Sequence, residues 1–132
     1  MSINNPTAFC AGLWDWDFLM PAFSPTRIRV TDIDGCVERN GALLFIETKK
    51  PNVAIPEGQA RMFRQATARN ELTVLVLWGE HNQPEQMQVW HDGNPSIVTE
   101  CDSADVVRAV RDWFEGRTPR IDEYADPFAE EE

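Results

Sequence analysis

The sequence predicts a single α/β domain in which a mixed β-sheet is flanked by helices. The chain has 132 residues and no internal repeat, which suits one hydrophobic core. Asn40 and Gly41 separate two strand-like segments and match the two-residue type I′ turn of a β-hairpin. A helical pattern from Pro56 to Asn70 then separates two apolar segments. A helix in that position indicates a βαβ crossover between parallel strands.

The first predicted element is a helix from Asn5 to Met20. Asn5 and Pro6 suit a cap and a first helical position, and Pro21 suits the end of the helix. Apolar side chains recur along it at three- and four-residue steps, at Phe9, Leu13, Trp16 and Met20.

The predicted hairpin follows. Its first arm comprises RIRVTDID and GCVERNGA, and its second arm is LLFIETKK. Leu43 and Phe45 point to one face of the second arm, while Leu44 and Ile46 point to the other. A strand that is apolar on both faces belongs in the middle of a covered sheet. Glu47 and Lys49 continue the face of Leu43 and Phe45.

The remaining predicted elements alternate between strand and helix. Leu72 to Trp78 is predicted as a buried strand, GEHNQPEQ as a loop, MQVWH as a short strand, DGNP as a turn and SIVTE as an edge strand. Asp102 or Ser103 caps a last amphipathic helix that ends at Gly116. The predicted buried side of that helix carries Val106, Val107, Val110, Trp113 and Phe114. Residues 1–118 form the predicted domain, and residues 119–132 form an acidic tail that we expect to be disordered.

The formal net charge of −10 arises largely in this tail, because the last twelve residues hold six acids and no Lys or Arg. Without them, 16 acids oppose 12 bases. No strongly basic surface announces nucleic-acid binding. The three cysteines lie far apart in sequence, and we expect them to be reduced. With neither a signal sequence nor a membrane-spanning segment in the pattern, we expect a soluble, cytoplasmic protein without a membrane partner.

The tight turn fixes which residues of the hairpin face each other. With Asn40 and Gly41 at its centre, cross-strand partners have numbers that sum to 81, so Asp34 faces Glu47 and Asp32 faces Lys49. Two directly opposed carboxylates repel and weaken a sheet. A hard cation such as Mg²⁺ or Mn²⁺ turns such a pair into a binding site, since it prefers carboxylate oxygens. Lys49 lies on the same face and can orient or deprotonate a water molecule.

These residues resemble a known signature. TDIDG, followed by the hairpin and FIETK, resembles the motif of the PD-(D/E)XK nuclease superfamily, with Asp34 as the first acid and Glu47, Thr48 and Lys49 as its E-x-K element. The segment EGQARMF resembles the helix that follows, where Gln59 takes the place of a Gln near the site. The resemblance covers Arg27 to about Trp78.

The resemblance implies a restriction-endonuclease-like αβββαβ core, with the TRIRV stretch as an additional strand or an extended first arm. It also implies Mg²⁺- or Mn²⁺-dependent hydrolysis of DNA phosphodiester bonds to 5′-phosphates. Asp34, Glu47 and the carbonyl of Thr48 would hold the metal, and Lys49 would position water. Small stand-alone members occur in phages and mobile elements, and a phage-encoded endo- or exonuclease is therefore the expected type. A single site per chain suggests a homodimer if double strands are cut.

Several alternatives stay open. Asp32 replaces Asp34 as the ligand if the turn slips by one position. Asp15 and Asp17 are candidates for an additional acid. Arg61 and Arg64 either contact phosphates or belong to a solvated helix face. An inactive nuclease fold that binds a protein partner and a small-molecule phosphohydrolase are the rival functions.

The histidines and tryptophans also have two interpretations. His81 and His91 are predicted as surface residues, and a base with its orienting acid, His91 with Asp92, is the alternative. The five tryptophans are predicted mainly to pack in the core or at a partner interface, with stacking on unpaired bases as the alternative.

Overall fold

The computed structural model describes residues 12–119. The first half of the predicted N-terminal helix, including Asn5, Pro6 and Phe9, lies outside the described residues, as does nearly all of the acidic tail. The chain divides into two compact units, Met1–Asp32 and Ile33–Glu132.

The N-terminal unit contains one short helix of the 3-10 type, Asp17–Phe23. The prediction of an α-helix to Met20 is wrong here, because residues 13–16 are not helical and Trp16 has a φ of 66°. A right-handed helix cannot run through a residue in the left-handed region. Pro21 lies inside the 3-10 helix instead of ending it. None of the residues of this helix is buried.

The hairpin forms with the predicted turn and register. Strand β1 spans Gly35–Arg39 and strand β2 spans Ala42–Lys49. Asn40 and Gly41 have φ values of 53° and 88°, as a type I′ turn requires. The Cα partners run from Gly35 opposite Ile46 to Arg39 opposite Ala42. Every pair sums to 81, so the predicted register is confirmed.

The TRIRV stretch forms no strand, and the prediction of a longer first arm is wrong. Ile28 and Val30 are both exposed, so this stretch lacks the half-buried face that stabilises a strand. β1 begins only at Gly35. Within residues 12–119, two strands and not three precede the crossover helix.

The predicted crossover is confirmed. Helix α1 spans Glu57–Thr67 and strand β3 spans Leu72–Glu80. β3 pairs with β2 in parallel, with Leu43 opposite Leu72 and Lys49 opposite Trp78. The helix therefore carries the chain back so that both strands end at the same edge of the sheet.

The segment predicted as the loop GEHNQPEQ is instead the end of a second hairpin. β3 continues to Glu80, and strand β4 spans Gln83–His91 antiparallel to it. A register irregularity between Trp78 and Gly79, together with a φ of 55° at Asn82, reverses the chain within His81 and Asn82. The polar residues of this segment are exposed at the hairpin end, which made the segment resemble a loop.

The predicted SIVTE edge strand is replaced by two short strands, β5 at Asn94–Pro95 and β6 at Thr99–Glu100. Both pair with β4. Ser96 interrupts the ladder because its Oγ accepts the N–H of Val89 at 3.0 Å. The DGNP turn is confirmed, with Asp92 and Gly93 at φ values of 52° and 78°.

Helix α2 spans Ser103–Phe114, and Asp102 and Asp105 form a reciprocal capping box at its start. Gly116 follows its end with a φ of 80°. Trp113 is buried as predicted, but Val107 is 66 % exposed and Phe114 is exposed as well. Val106 and Val110 pack partly buried against the same core cluster, as predicted, and the fully buried residues of the helix are Asp105, Ala109 and Trp113.

The described strands form one mixed sheet with the order β1-β2-β3-β4-β5, and β6 also pairs with β4. Alternate residues of β3 enter two separate core clusters, so the two helices cover opposite faces of the sheet. The first cluster contains Leu44, Leu75, Met87, Val89, Ala109 and Trp113, and the second contains Phe63, Val74, Val76, Trp78 and Trp90. The predicted class, a mixed sheet flanked by helices, is confirmed. No helix among residues 12–119 has the length and apolar character needed to span a membrane.

Candidate metal-binding and catalytic site

Asp34 lies directly before β1, where the hairpin register places it opposite Glu47. Its Oδ2 accepts two hydrogen bonds from Thr48, from the backbone N–H at 2.8 Å and from Oγ1 at 3.0 Å. The Asp34 carboxylate thus takes the place that a backbone carbonyl of β1 would occupy in a longer ladder. These two bonds fix one oxygen of the carboxylate at the end of β2.

Glu47 is half-buried at the centre of the site. Burial raises the pKa of its carboxyl above the ordinary value of 4.5, and the neighbouring charge of Asp34 raises that pKa further. A hydrogen bond to the Asp34 side chain acts in the same direction. A hydrogen bond from Gln59 and the charge of Lys49 lower the pKa in opposition. Glu47 therefore interacts with each of the other three predicted site residues.

Gln59 reaches this carboxylate from the first turn of α1. Its hydrogen bond lowers the pKa of Glu47, as a donated N–H does when it stabilises the charged form. Its Oε1 is buried and has no hydrogen-bond partner among the described residues. A buried amide oxygen without a partner is costly and calls for a donor or a cation.

Thr48 contributes its backbone to the same place. In a strand, the N–H and C=O of one residue point to the same neighbouring strand. Because the N–H of Thr48 points to Asp34, its carbonyl oxygen faces that side as well. The predicted carbonyl ligand thus lies on the side of the Asp34 carboxylate.

An open groove with a volume of about 490 Å³ lies beside these residues. One wall is formed by Asp34, Thr48 and Lys49, at the ends of the hairpin strands, and Lys50 follows directly. The other wall is the β3–β4 turn, and its lining residues are Gly79, Glu80, His81 and Asn82. The groove lies at the carboxyl ends of the parallel strands β2 and β3, where ligands bind in open α/β sheets.

The donor set fits a hard divalent cation. In residues 12–119, no group of three or more His, Cys, Asp or Glu side chains is placed to hold a metal ion. Mg²⁺ nevertheless needs only one or two carboxylates, since it keeps several waters. The opposed Asp34 and Glu47 carboxylates, the Thr48 carbonyl and the unpartnered Gln59 oxygen are all oxygen donors.

Other predicted residues lie elsewhere. Asp32 is exposed and belongs to the N-terminal unit, as do Asp15 and Asp17. Arg61 and Arg64 are exposed on α1. The Arg64 guanidinium lies 5.7 Å from the centre of the Trp90 ring and so packs on its own protein.

The tryptophans and histidines divide between core and surface. Trp78, Trp90 and Trp113 are buried in the core, so stacking on bases is excluded for them. Trp14 is 68 % exposed and Trp16 is half-buried. The two histidines differ in exposure. His81 is exposed, as predicted. His91 is half-buried and not fully exposed as predicted, and its Nδ1 lies 3.3 Å from the hydroxyl of Thr73. Its Nε2 lies 3.3 Å from Asp92 Oδ2, so the two residues of the alternative pair are adjacent.

Sequence reasoning missed the second wall of the groove. Glu80, His81 and Asn82 were not recognised as lining residues because their segment was predicted as a loop, and Lys50 on the opposite wall was not assigned a role. The signal was present, since β3 runs parallel to β2 and must end beside Lys49. Comparison of this chain with protein-family models, with curated proteins and with solved structures finds no match.

Proposed function

We propose that this protein is a metal-dependent nuclease that hydrolyses DNA phosphodiester bonds, built on a restriction-endonuclease-like core of the PD-(D/E)XK type. One observation carries the proposal. Asp34 lies opposite Glu47 at the carboxyl end of β2 and is held there by two hydrogen bonds from Thr48. Gln59 is hydrogen-bonded to the Glu47 carboxyl group, and the charge of Lys49 is near enough to lower the Glu47 pKa. That constellation corresponds to the four side chains which the sequence resemblance implies.

Asp34, Glu47 and the Thr48 carbonyl would hold Mg²⁺ or Mn²⁺. When bound, such an ion polarises the phosphoryl oxygen and lowers the pKa of a water molecule. Asp34 is oriented for this task by its two hydrogen bonds from Thr48. The hydrogen bond from Gln59 favours the charged form of the Glu47 carboxylate and so partly opposes the effects of burial and of Asp34.

Lys49 has the second role in this proposal. Its ammonium lies close enough to lower the pKa of Glu47, and it lines the groove. In that position it orients the attacking water and stabilises the negative charge that develops on the phosphate. The water oxygen bonds to phosphorus as the bond to the 3′ oxygen breaks, which leaves the 5′-phosphate that the resemblance implies.

We also propose a cytoplasmic location for this protein. Cys36 and Cys101 are free thiols, which agrees with a reducing, cytoplasmic location. DNA is the proposed partner, and a homodimer is expected if both strands of a duplex are cut.

A small-molecule phosphohydrolase is the second candidate. The groove volume of about 490 Å³ is typical of small-ligand sites, and the net charge of −10 opposes binding of a long polyanion. The same residues would then act on a nucleotide or another small phosphodiester.

Cleavage assays separate these functions. Plasmid DNA, a labelled oligonucleotide and a small phosphodiester are incubated with the protein in Mg²⁺, in Mn²⁺ and in chelator. We expect metal-dependent DNA cleavage that falls about 100-fold or more in Glu47→Gln and in Lys49→Ala. Glu71→Gln removes the same charge at the opposite end of β3 and should leave the rate unchanged. Hydrolysis of the small phosphodiester alone supports the second candidate, and undiminished cleavage by Glu47→Gln contradicts the proposal.

A further inference from the structure

The groove carries groups that the proposed nuclease chemistry does not use: Lys50 on one wall, and Glu80, His81 and Asn82 on the other. We propose that Lys50, His81 and Asn82 bind a backbone phosphate of the substrate strand next to the scissile one, and that Glu80 competes with this phosphate for Lys50. This inference rests on the proposed function and deepens it, because it assigns how the site holds its substrate.

The residues proposed to bind this phosphate lie on both sides of the groove. Lys50 follows Lys49 directly, and both line the groove with Asp34. His81 and Asn82 face them from the β3–β4 turn. A phosphate bound beside the scissile one can therefore lie between Lys50 and this turn.

The chemistry of the wall fits a phosphodiester. Such a group offers only acceptor oxygens and one negative charge, so it needs donors and a cation. The Lys50 ammonium carries three donors, and the ring of His81 and the amide of Asn82 add more. Both polar side chains are exposed and lie together, with 3.1 Å between Asn82 Nδ2 and His81 Nε2.

Glu80 supplies the competing charge. Its Oε2 lies 3.2 Å from the Lys50 Nζ, and the two side chains are 58 % and 75 % exposed. Exposed ion pairs of this kind contribute little to stability. A phosphate can therefore displace the Glu80 carboxylate from Lys50 at small energetic cost. Because the attraction between Glu80 and Lys50 is lost when the phosphate binds, Glu80 weakens phosphate binding.

The turn is held in place by its backbone. A Cβ atom on Gly79 would lie 2.2 Å from the carbonyl oxygen of Gln83, so the two hairpin arms approach more closely there than any side chain allows. Asn82 completes the reversal at a φ of 55°. The wall is thus formed before substrate arrives, which favours specific binding.

The positions of the two lysines also support a phosphate contact in this groove. The chain contains only two lysines, Lys49 and Lys50, and both line this groove. A protein with a net charge of −10 has to concentrate its contacts with a polyanion where the chemistry occurs.

Steady-state cleavage of a labelled DNA oligonucleotide tests the inference. Lys50→Ala and His81→Ala should raise KM about fivefold to tenfold while kcat stays within about twofold, because they remove a charge-assisted contact away from the reacting atoms. Lys50→Arg should retain the wild-type KM. Glu80→Gln should lower KM by about threefold, whereas the matched control Glu71→Gln should not change it.

A neutral methylphosphonate placed at single positions of the oligonucleotide locates the contact. Wild type should lose affinity at one position beside the cleaved bond, and Lys50→Ala should be insensitive at that position. If wild type cleaves DNA but Glu80→Gln fails to lower KM, or Lys50→Ala lowers kcat alone, this inference is wrong and the nuclease proposal stands. Absence of metal-dependent cleavage by wild type overturns both.

Discussion

Among single residues, Glu47 gives the strongest support for a functional site. It lies half-buried beside a second acid, and both its burial and the charge of Asp34 raise its pKa. Acidic side chains without a functional role are usually exposed to solvent, where the ionised form is hydrated and carries no desolvation penalty. A strand that places one beside another, at the end of a covered sheet, favours a functional origin for the pair.

This raised pKa predicts how stability depends on pH. Because the folded protein disfavours the ionised carboxyl, the contribution of Glu47 to stability is fully present below the ordinary pKa of 4.5 and is lost as pH rises through the higher folded value. Glu47→Gln removes the group that titrates. In chelator, the free energy of unfolding of wild type relative to Glu47→Gln should therefore fall between pH 4 and pH 7 in urea titrations. A parallel pH dependence of the two proteins would contradict this assignment.

Thr48 provides a second test at the same scale. Its Oγ1 and its N–H both donate to the same oxygen of Asp34, at 3.0 Å and 2.8 Å. Thr48→Val removes only the hydroxyl, so Asp34 keeps its backbone anchor. Metal affinity should fall by less than about tenfold, since one exposed hydrogen bond contributes about 1 kcal/mol. Loss comparable to that of Asp34→Asn, in the same binding assay, would show that the hydroxyl itself is a ligand.

The β3–β4 hairpin is the decisive element, since its turn forms one wall of the groove. Its geometry depends on Gly79, where an added Cβ would meet the Gln83 carbonyl oxygen at 2.2 Å. We expect Gly79→Ala to reduce the free energy of unfolding by about 1–3 kcal/mol, as forced insertion of a methyl group does. Urea denaturation measures this change.

Gly58 gives the matched control for that substitution. It lies in the first turn of α1, and nothing lies within 4 Å of its added Cβ. Gly58→Ala should be neutral or stabilising by up to about 1 kcal/mol, because alanine favours the helix. Equal effects at the two glycines would show that the close approach at Gly79 has no energetic consequence.

Predictability from sequence also varies by element. The first hairpin was predicted in register because Asn40 and Gly41 admit one tight turn, and that register brought Asp34 to Glu47. The second hairpin was missed because its turn residues, His81 and Asn82, lack glycine and its arms begin with polar side chains. The groove wall was missed with it, although the crossover helix that carries Gln59 was predicted.

The other misses have tertiary causes. The apolar spacing before Met20 predicted an α-helix, but the left-handed backbone conformation of Trp16 prevents a continuous helix there. Ser96 divided the predicted edge strand through its bond to Val89. On α2 the prediction failed at Val107 and Phe114, which are exposed, while Ala109 is fully buried. Each depends on neighbours that local sequence does not specify.

At the scale of the whole molecule, charge is the property that constrains function. A chain with a net charge of −10 does not attract DNA over long distances, so the proposed function requires that affinity for DNA come from the metal and a few contacts in the groove.

This restriction predicts a weak salt dependence. With two or three phosphate contacts, the logarithm of the DNA binding constant should fall with the logarithm of salt concentration at a slope of about −1.5 to −2. Fluorescence anisotropy with a single-stranded oligonucleotide in Ca²⁺ measures this slope. A slope steeper than about −5 would reveal a basic surface beyond the groove and would contradict this account.

Calorimetric titration of Mn²⁺ into the metal-free protein is the decisive measurement, because the proposed function requires the Asp34 and Glu47 carboxylates to bind a divalent ion. Wild type is predicted to bind one ion per chain, with affinity reduced about tenfold or more in Asp34→Asn and in Glu47→Gln and retained in Asp32→Asn. Absence of binding by wild type, or undiminished binding by both carboxylate variants, would contradict it.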